Sequence, residues 1–325
     1  MGDIAAKVAF VAGGSTGLGK ELAIALAKRG CHVTIFARRQ LPLDEAKVEI
    51  LAARKHEAQD VRAISLDLTD PEKVREIFKS QPRLPDMLYC VAGGTANELG
   101  FLVDISPDKI SRCMNNNYLT SVFPAQAALK LWVADDRKFQ TVPGPRQSPK
   151  IRNIVFVSSA AAFIGLPGYT AYAPTKCAVR GLADTLRAEV LRYSGTASQY
   201  SVHIAFPSNF MSATFVDEQN NKPELTKRLE GTTAPISKLS KTLHSAKQVA
   251  DYIIAAVDKK QFVICSELEA GLLFGTLNGM SPRRGLGIVD TLIAFVAVLL
   301  GPIVRRHQDY HCARDSADAE NPETS

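Results

Sequence analysis

Tryptophan is nearly missing from this 325-residue chain, which has one, and all aromatics together make up 7% of it. Lysines and arginines do not gather into runs interleaved with aromatic rings, and the net charge is a modest +6. A nucleic-acid partner is therefore not expected. The six cysteines (31, 90, 113, 177, 265 and 312) are scattered, with no C-x-x-C pair. That pattern argues against a disulfide framework and against a metal site, and suits reduced thiols in a cytosolic environment. No apolar leader with a cleavage site precedes the first strand, "KVAFVAGG", and "MGDIAA" lacks the Ser/Thr of a myristoylation signal.

What the chain has is apolar mass: 46% hydrophobic against 22% charged residues, enough for one large α/β domain with an appendage. Short Val/Ile/Ala runs predict buried strands at 7–13, 32–38, 61–70, 86–93, 151–159, 201–206 and 261–265. Between them lie amphipathic stretches, including 19–30, 43–60 and a helix started by Asp70-Pro71. Apolar runs without alternation mark strands covered on both faces, and alternating βα units imply a parallel sheet. The expected fold is a single doubly wound, Rossmann-type α/β domain over residues 5–266. The Pro-rich, charged stretch 135–150 reads as a surface loop. Residues 208–245 read as a mobile substrate-side segment, because they follow a strand end where open sheets bind ligands.

The C-terminal part differs. "LGIVDTLIAFVAVLLGPIVRR" holds 19 residues from Leu286 to Val304 with one charge, Asp290. As a helix it would be about 28 Å long, the lower limit for crossing a bilayer. The apolar "AGLLFGTLNGM" precedes it across a polar "SPRRG" break. Residues 267–304 are expected to associate with a membrane, either spanning it or lying in one leaflet as a hairpin. A buried core helix and a dimer interface are the competing readings, and a homo-oligomer stays open. The polar tail, 305–325, is expected to be disordered.

The chemistry starts at "AGGSTGLG", where Gly13, Gly17 and Gly19 sit between the first strand and the first helix. Glycines there let the backbone approach a pyrophosphate at a helix N-terminus. Ser15, Thr16 and Leu18 complete the turn as cofactor-binding candidates. The second strand ends in "FARRQ": where an acidic residue would accept from ribose hydroxyls there is Ala37, followed by Arg38 and Arg39. Arginine suits a 2′-phosphate, so NADPH is expected rather than NADH. Asp67 could accept from the adenine amino group or be a turn aspartate; Leu68 follows it. "YTAYAPTKCAV" sets Tyr172 four residues before Lys176, on one helix face, with Pro174 tolerated in the first turn. Ser159 ends a strand thirteen residues before Tyr172, and Asn117 lies in "MNNNYLTSVF".

This order of G-x-x-x-G-x-G, Asn, Ser and Tyr-x-x-x-Lys resembles the short-chain dehydrogenase/reductase family, over roughly residues 5–266. The resemblance implies hydride transfer to a ketone. Tyr172 would donate the proton and Ser159 would orient the carbonyl oxygen. Lys176 would lower the Tyr172 pKa and hold the nicotinamide ribose, while Asn117 would anchor a water in the proton relay. Tyr169, which lacks a lysine partner, reads as a pocket wall. Two departures stand out. The family's N-N-A-G run is "CVAG" here, Cys90 to Gly93, with Ala92 and Gly93 still able to line the cofactor by their backbone. Pro-Gly after the strand at 201–206 is Pro207-Ser208, and Ser212 and Thr214 are both candidates for the nicotinamide amide contact.

Within the family, "SSAAAFIGLPGYTAYAPTKCAVRGLADTLRAEV", the basic strand end and the C-terminal apolar segment are similar to the branch that reduces a long-chain amino ketone in sphingoid-base synthesis. That likeness implies a lipid substrate and a catalytic domain on the cytosolic face of the endoplasmic reticulum membrane. Two other readings stay open: a membrane-bound reductase of a steroid, retinoid or fatty-acyl ketone, and a non-catalytic NADPH-binding scaffold.

Overall fold

The seven apolar runs become seven strands of one sheet in the computed structural model, which describes residues 4–95, 97–141, 148–277 and 287–320. They are β1 (Val8–Ala12), β2 (His32–Ala37), β3 (Val61–Ser65), β4 (Met87–Cys90), β5 (Lys150–Val157), β6 (Ser198–Ala205) and β7 (Val263–Ile264). All neighbours pair in parallel, in the order β3-β2-β1-β4-β5-β6-β7. The order reverses between β1 and β4, and a crevice opens at such a switch point beyond the strand C-termini.

Helices cover both faces: α1 (Gly17–Lys28), α2 (Gln40–Ala52), α3 (Pro71–Ser80), α4 (Pro107–Met114), α5 (Thr120–Thr141), α6 (Tyr172–Glu189), α7 (Ala213–Asn221), α8 (Glu224–Glu230), α9 (Ile236–Thr242), α10 (Ala246–Asp258), α11 (Leu268–Leu277) and α12 (Ile288–Glu320). Successive strand residues feed opposite cores. Phe10 belongs to a core cluster with Phe78 of α3, Trp132 of α5 and Val179 of α6. Val11 belongs to another with Leu22 of α1, Ile50 of α2 and Ile253 of α10. Phe10 meets Phe36 and Phe78 edge-on at centroid separations of 5.2 and 5.1 Å. Truncating such a buried ring costs about 3–5 kcal/mol.

Several boundaries depart from the sequence expectation. α2 begins at Gln40 rather than 43, with Pro42 in its first turn, and stops at Ala52. α5 runs on to Thr141, so the front of the expected 135–150 loop is helical. The cause is Asp136, whose buried carboxylate accepts from Ser198 Oγ and Tyr200 Oη of β6 and holds that turn against the sheet. The rest of that loop from 142 to 147, the "SPRRG" break and residues 321–325 lie outside the described residues. Residues 208–245, expected as a substrate-side segment, contain α7, α8 and α9. The polar tail is helical as far as Glu320, because it continues α12.

α11 and α12 pack closely. A Cβ on Gly275 would lie 2.9 Å from Ile293 Cγ2 and 3.3 Å from Ala294 N. α12 also touches α8. Among the described residues no helix is long and apolar enough to cross a membrane. The apolar stretch of α12, from Ile288 to Val304, is about 26 Å long, short of the ~30 Å hydrocarbon core. The expected spanning form of 267–304 is not met there. Yet one face of α12 is open to solvent, with Leu292, Phe295 and Leu299 at 63%, 66% and 61% exposure.

Candidate active site

A cleft of about 1040 Å³ opens at the strand C-termini. That stands at the upper end of the ~300–1,000 Å³ of small-molecule sites, enough for two ligands side by side. Its floor is the glycine turn. Gly13 has φ +94°, and a Cβ there would lie 2.4 Å from Ala92 N; one on Gly19 would lie 2.0 Å from Gly13 O. Any side chain would therefore fill the cradle. No side chain caps the first turn of α1, so its N–H groups and dipole are presented to an anion at Ser15–Leu18.

The expected nucleotide residues line this cleft together: Gly13, Ser15, Thr16, Gly17, Leu18 and Gly19 on the turn, Arg38 and Arg39 after β2, Asp67 and Leu68 after β3, Ala92 and Gly93 after β4. Arg38 and Arg39 are exposed. Asp67 is a turn aspartate, accepting from Thr69 N at 2.9 Å and Thr69 Oγ1 at 2.7 Å, both on Oδ1. Burial opposes its ionisation, but the Thr69 bonds and the Arg38 guanidinium outweigh that and hold its carboxyl below the ordinary value. Cys90, where the family places asparagine, still ties β4 to α5, its thiol donating to Ser121 O. These residues fit a nicotinamide dinucleotide: an anion cradle, a basic edge and a polar turn at successive strand ends.

α6 opens at Tyr172, with Pro174 in its first turn. Ser158 Oγ donates to Lys176 O at 2.9 Å and pins that helix to the end of β5. Tyr172, Lys176 and Ser159 all face the cleft. Lys176 is 4% exposed, donates to Val157 O at 3.3 Å and sits over the Tyr172 ring at 5.5 Å from its centroid. Burial pushes the Lys176 ammonium down to about 8, with Cys113 opposing.

Tyr172 does not follow expectation: its pKa is raised, first by burial and then by the charge of Glu218, with only Ser159 pulling the other way by a hydrogen bond. Lys176 is not among the leading influences on it; its ammonium lies 5.5 Å from the ring centroid and donates to Val157 O. The result is a phenol that keeps its proton at neutral pH, as a proton donor must.

Asn117 is the one expected residue outside the cleft lining. It is fully buried in a π-helical turn, Asn115–Leu119. Its Nδ2 donates to Gly94 O at 2.9 Å and Cys113 O at 3.0 Å, while its Oδ1 accepts from Gly94 N at 2.9 Å. The side chain is a clamp on the cofactor loop after β4, and one acceptor position on Oδ1 is all that it has left for a water. Ser212 caps α7, accepting from Phe215 N, and both it and Thr214 line the cleft.

Beyond Tyr172 the cleft is walled by α7, α8, α9 and α11, with Leu229, Leu239, Leu243 and Leu273 on its apolar side. Tyr169 lines it, as expected, but also donates to Glu218 of α7. Lys222 bridges Glu218, at 2.8 Å, and Glu230. Sequence reasoning missed this group. Glu218 and Lys222 show only as a pair four residues apart, the pattern of an ordinary solvated helix face.

A parallel sheet with a glycine cradle at its switch point and a Tyr-x-x-x-Lys pair beside it defines a nicotinamide-dependent oxidoreductase. The chain belongs to the short-chain dehydrogenase family, whose description matches residues 7–199. It is 33% identical over 310 residues to a 3-ketodihydrosphingosine reductase of Aspergillus fumigatus, covering 89% of this chain and 79% of that protein. It is 30% identical over 310 residues to the 3-dehydrosphinganine reductase of Danio rerio, covering 91% of this chain and 85% of that protein. A short-chain dehydrogenase/reductase of Burkholderia phymatum in complex with NAD superposes with a TM-score of 0.65 at 16% identity, over 87% of this chain and 95% of that one. That last likeness concerns the fold alone.

Proposed function

We propose that this enzyme reduces 3-ketodihydrosphingosine to dihydrosphingosine with NADPH, at a membrane surface. The observation that carries the reading is the Tyr172, Ser159 and Lys176 set facing a cleft whose far wall is apolar and reaches α11. Relatives named for this activity, matched along most of their length, support the substrate. Arg38 and Arg39, on the cleft lining after β2, support NADPH, since arginine suits a 2′-phosphate.

The cofactor, when bound, supplies the hydride that adds to the ketone carbon. Ser159 donates a hydrogen bond to the carbonyl oxygen and fixes its position. As negative charge grows on that oxygen, Tyr172 Oη gives it the proton, so the ketone leaves as a neutral secondary alcohol. The Lys176 ammonium, buried beside the ring, then stabilises the phenolate until solvent returns a proton. Lys176 would also hold the ribose hydroxyls of the cofactor. Asn117 would act indirectly, by fixing the Gly93–Gly94 loop that lines the cofactor site.

The open apolar face of α12 supports attachment to one leaflet, and α11, which packs against α12, lends Leu273 to the cleft. A long alkyl chain carries about 0.8 kcal/mol per methylene in favour of lipid, so a lipid-side mouth brings the enzyme to its substrate. The reading sets the catalytic domain on the cytosolic side of the endoplasmic reticulum membrane. The test is NADPH consumption by the detergent-solubilised protein, offered 3-ketodihydrosphingosine, a steroid ketone and a retinal in parallel. Turnover with the sphingoid ketone well above the other two is expected; turnover confined to another ketone would overturn the substrate assignment.

A further inference from the structure

The apolar wall beyond Tyr172 is interrupted by one polar island. Glu218, Glu230 and Thr232 line the cleft there, with Lys222 behind them. Two carboxyl groups face a single ammonium, which leaves one acidic group in surplus. Glu218 takes both Tyr169 Oη and Lys222 Nζ on Oε1, so neither bond uses Oε2. The Tyr169 ring lies between this island and the catalytic ring, 5.7 Å from Tyr172 centroid to centroid. Independently, Thr232 is 4% exposed, and its Oγ1 is buried without a hydrogen-bond partner among the described residues. A buried orphan hydroxyl costs about 1–3 kcal/mol, so a ligand that satisfies it is favoured.

An apolar cleft for an alkyl chain has no use for a surplus carboxyl group and an unpaired hydroxyl. A 2-amino-1-hydroxy-3-ketone does: its ammonium sits on the carbon next to the carbonyl, and its primary hydroxyl one carbon further. We propose that Glu218 and Thr232 form the head-group subsite, Glu218 receiving the substrate ammonium and Thr232 the primary hydroxyl. Tyr169 and Lys222 are positioning residues that hold Glu218 in place. The subsite rests on the amino-ketone reading above and makes it more specific: the enzyme selects an amino ketone over a plain ketone of equal chain length. That the Glu218 charge is felt at Tyr172 agrees with the ammonium binding within reach of the reacting carbonyl.

The test compares 3-ketodihydrosphingosine with its 2-deamino analogue, a 1-hydroxy-3-ketone of the same length. For the unaltered enzyme, kcat/KM is expected to favour the amino ketone by about 10- to 100-fold, the range of a hydrogen bond to a charged group. Glu218→Gln should bring that ratio towards one, with NADPH binding as the check on folding. Thr232→Val should raise KM for both substrates, since both carry the hydroxyl, and leave their ratio alone. If Glu218→Gln lowers both substrates equally while NADPH still binds, Glu218 only supports the wall and the subsite is wrong. Equal use of the two ketones by the unaltered enzyme would also overturn it, even with the amino ketone turned over well. Should Glu218→Gln fail to fold, the unaltered enzyme's preference and Thr232→Val still decide the matter. Turnover of neither ketone, beside turnover of a steroid or retinal, would instead overturn the functional reading itself, and the subsite with it.

Discussion

Replacing Asn117 by alanine separates two roles for this residue. The side chain makes three hydrogen bonds of 2.9–3.0 Å, two to the Gly94 backbone and one to Cys113 O, at a position with no solvent exposure. Each such bond contributes about 0.5–1.5 kcal/mol net, and groups left buried without partners cost about 1–3 kcal/mol each. The Gly94 groups regain water once the exposed Gly93 side of the loop moves, so the loss should be about 3 kcal/mol. At ~2 °C per kcal/mol for a chain of this size, Tm should fall by about 6 °C. NADPH affinity should fall with it, because the loop that lines the cofactor is released. Calorimetry and a fluorescence titration with NADPH measure both. If Asn117→Ala keeps Tm and NADPH affinity but loses turnover, the clamp is not its role, and the residue serves the proton relay alone.

Three further outcomes follow from the geometry. Arg38→Ala with Arg39→Ala should weaken NADPH binding by about 10- to 100-fold and leave NADH binding nearly as it was; equal losses for both would refute a 2′-phosphate site. Lys176 carries its proton below about 8 in the free enzyme and loses it above, so kcat/KM for NADPH should decline as pH rises through that value; a profile flat to about pH 10 would contradict the assignment. Leu292→Asp, Phe295→Asp and Leu299→Asp together fall on exposed positions of α12, so folding should survive while flotation with phospholipid vesicles is lost; unchanged flotation would remove α12 as the lipid-facing surface.

The parallel sheet was legible because strands buried on both faces must be apolar throughout, as β1 and β4 are, while the edge strand β3, with Arg62 and Ser65 exposed, showed it less clearly. The meeting of Tyr172, Lys176 and the glycine turn at one cleft was legible for another reason. Tyr172 and Lys176 must share a helix face, and the glycines must lie between β1 and α1, so spacing alone carries the geometry. What stayed hidden depends on contacts across the fold. Asp136 prolongs α5 only because Ser198 and Tyr200 meet it from β6. Asn117 turns inward because Gly94 lies beneath it. The Glu218–Lys222 pair looks like surface in the chain, and only the packing of α7 and α8 over Tyr169 buries it. The charge states at the centre were misjudged for the same cause: burial, invisible in the sequence, holds Tyr172 protonated against the pull expected of its lysine.

Tyr172, the proton donor, is the residue on which the reaction depends most directly. Tyr172→Phe removes one oxygen and keeps the ring that Lys176 covers. Turnover of 3-ketodihydrosphingosine should fall by about 10²- to 10⁴-fold, the usual share of a general acid, while NADPH binding, measured on the same preparation, stays as in the unaltered enzyme. Turnover within a factor of about ten of the original, with NADPH still bound, would mean that the proton comes from elsewhere and would contradict the mechanism.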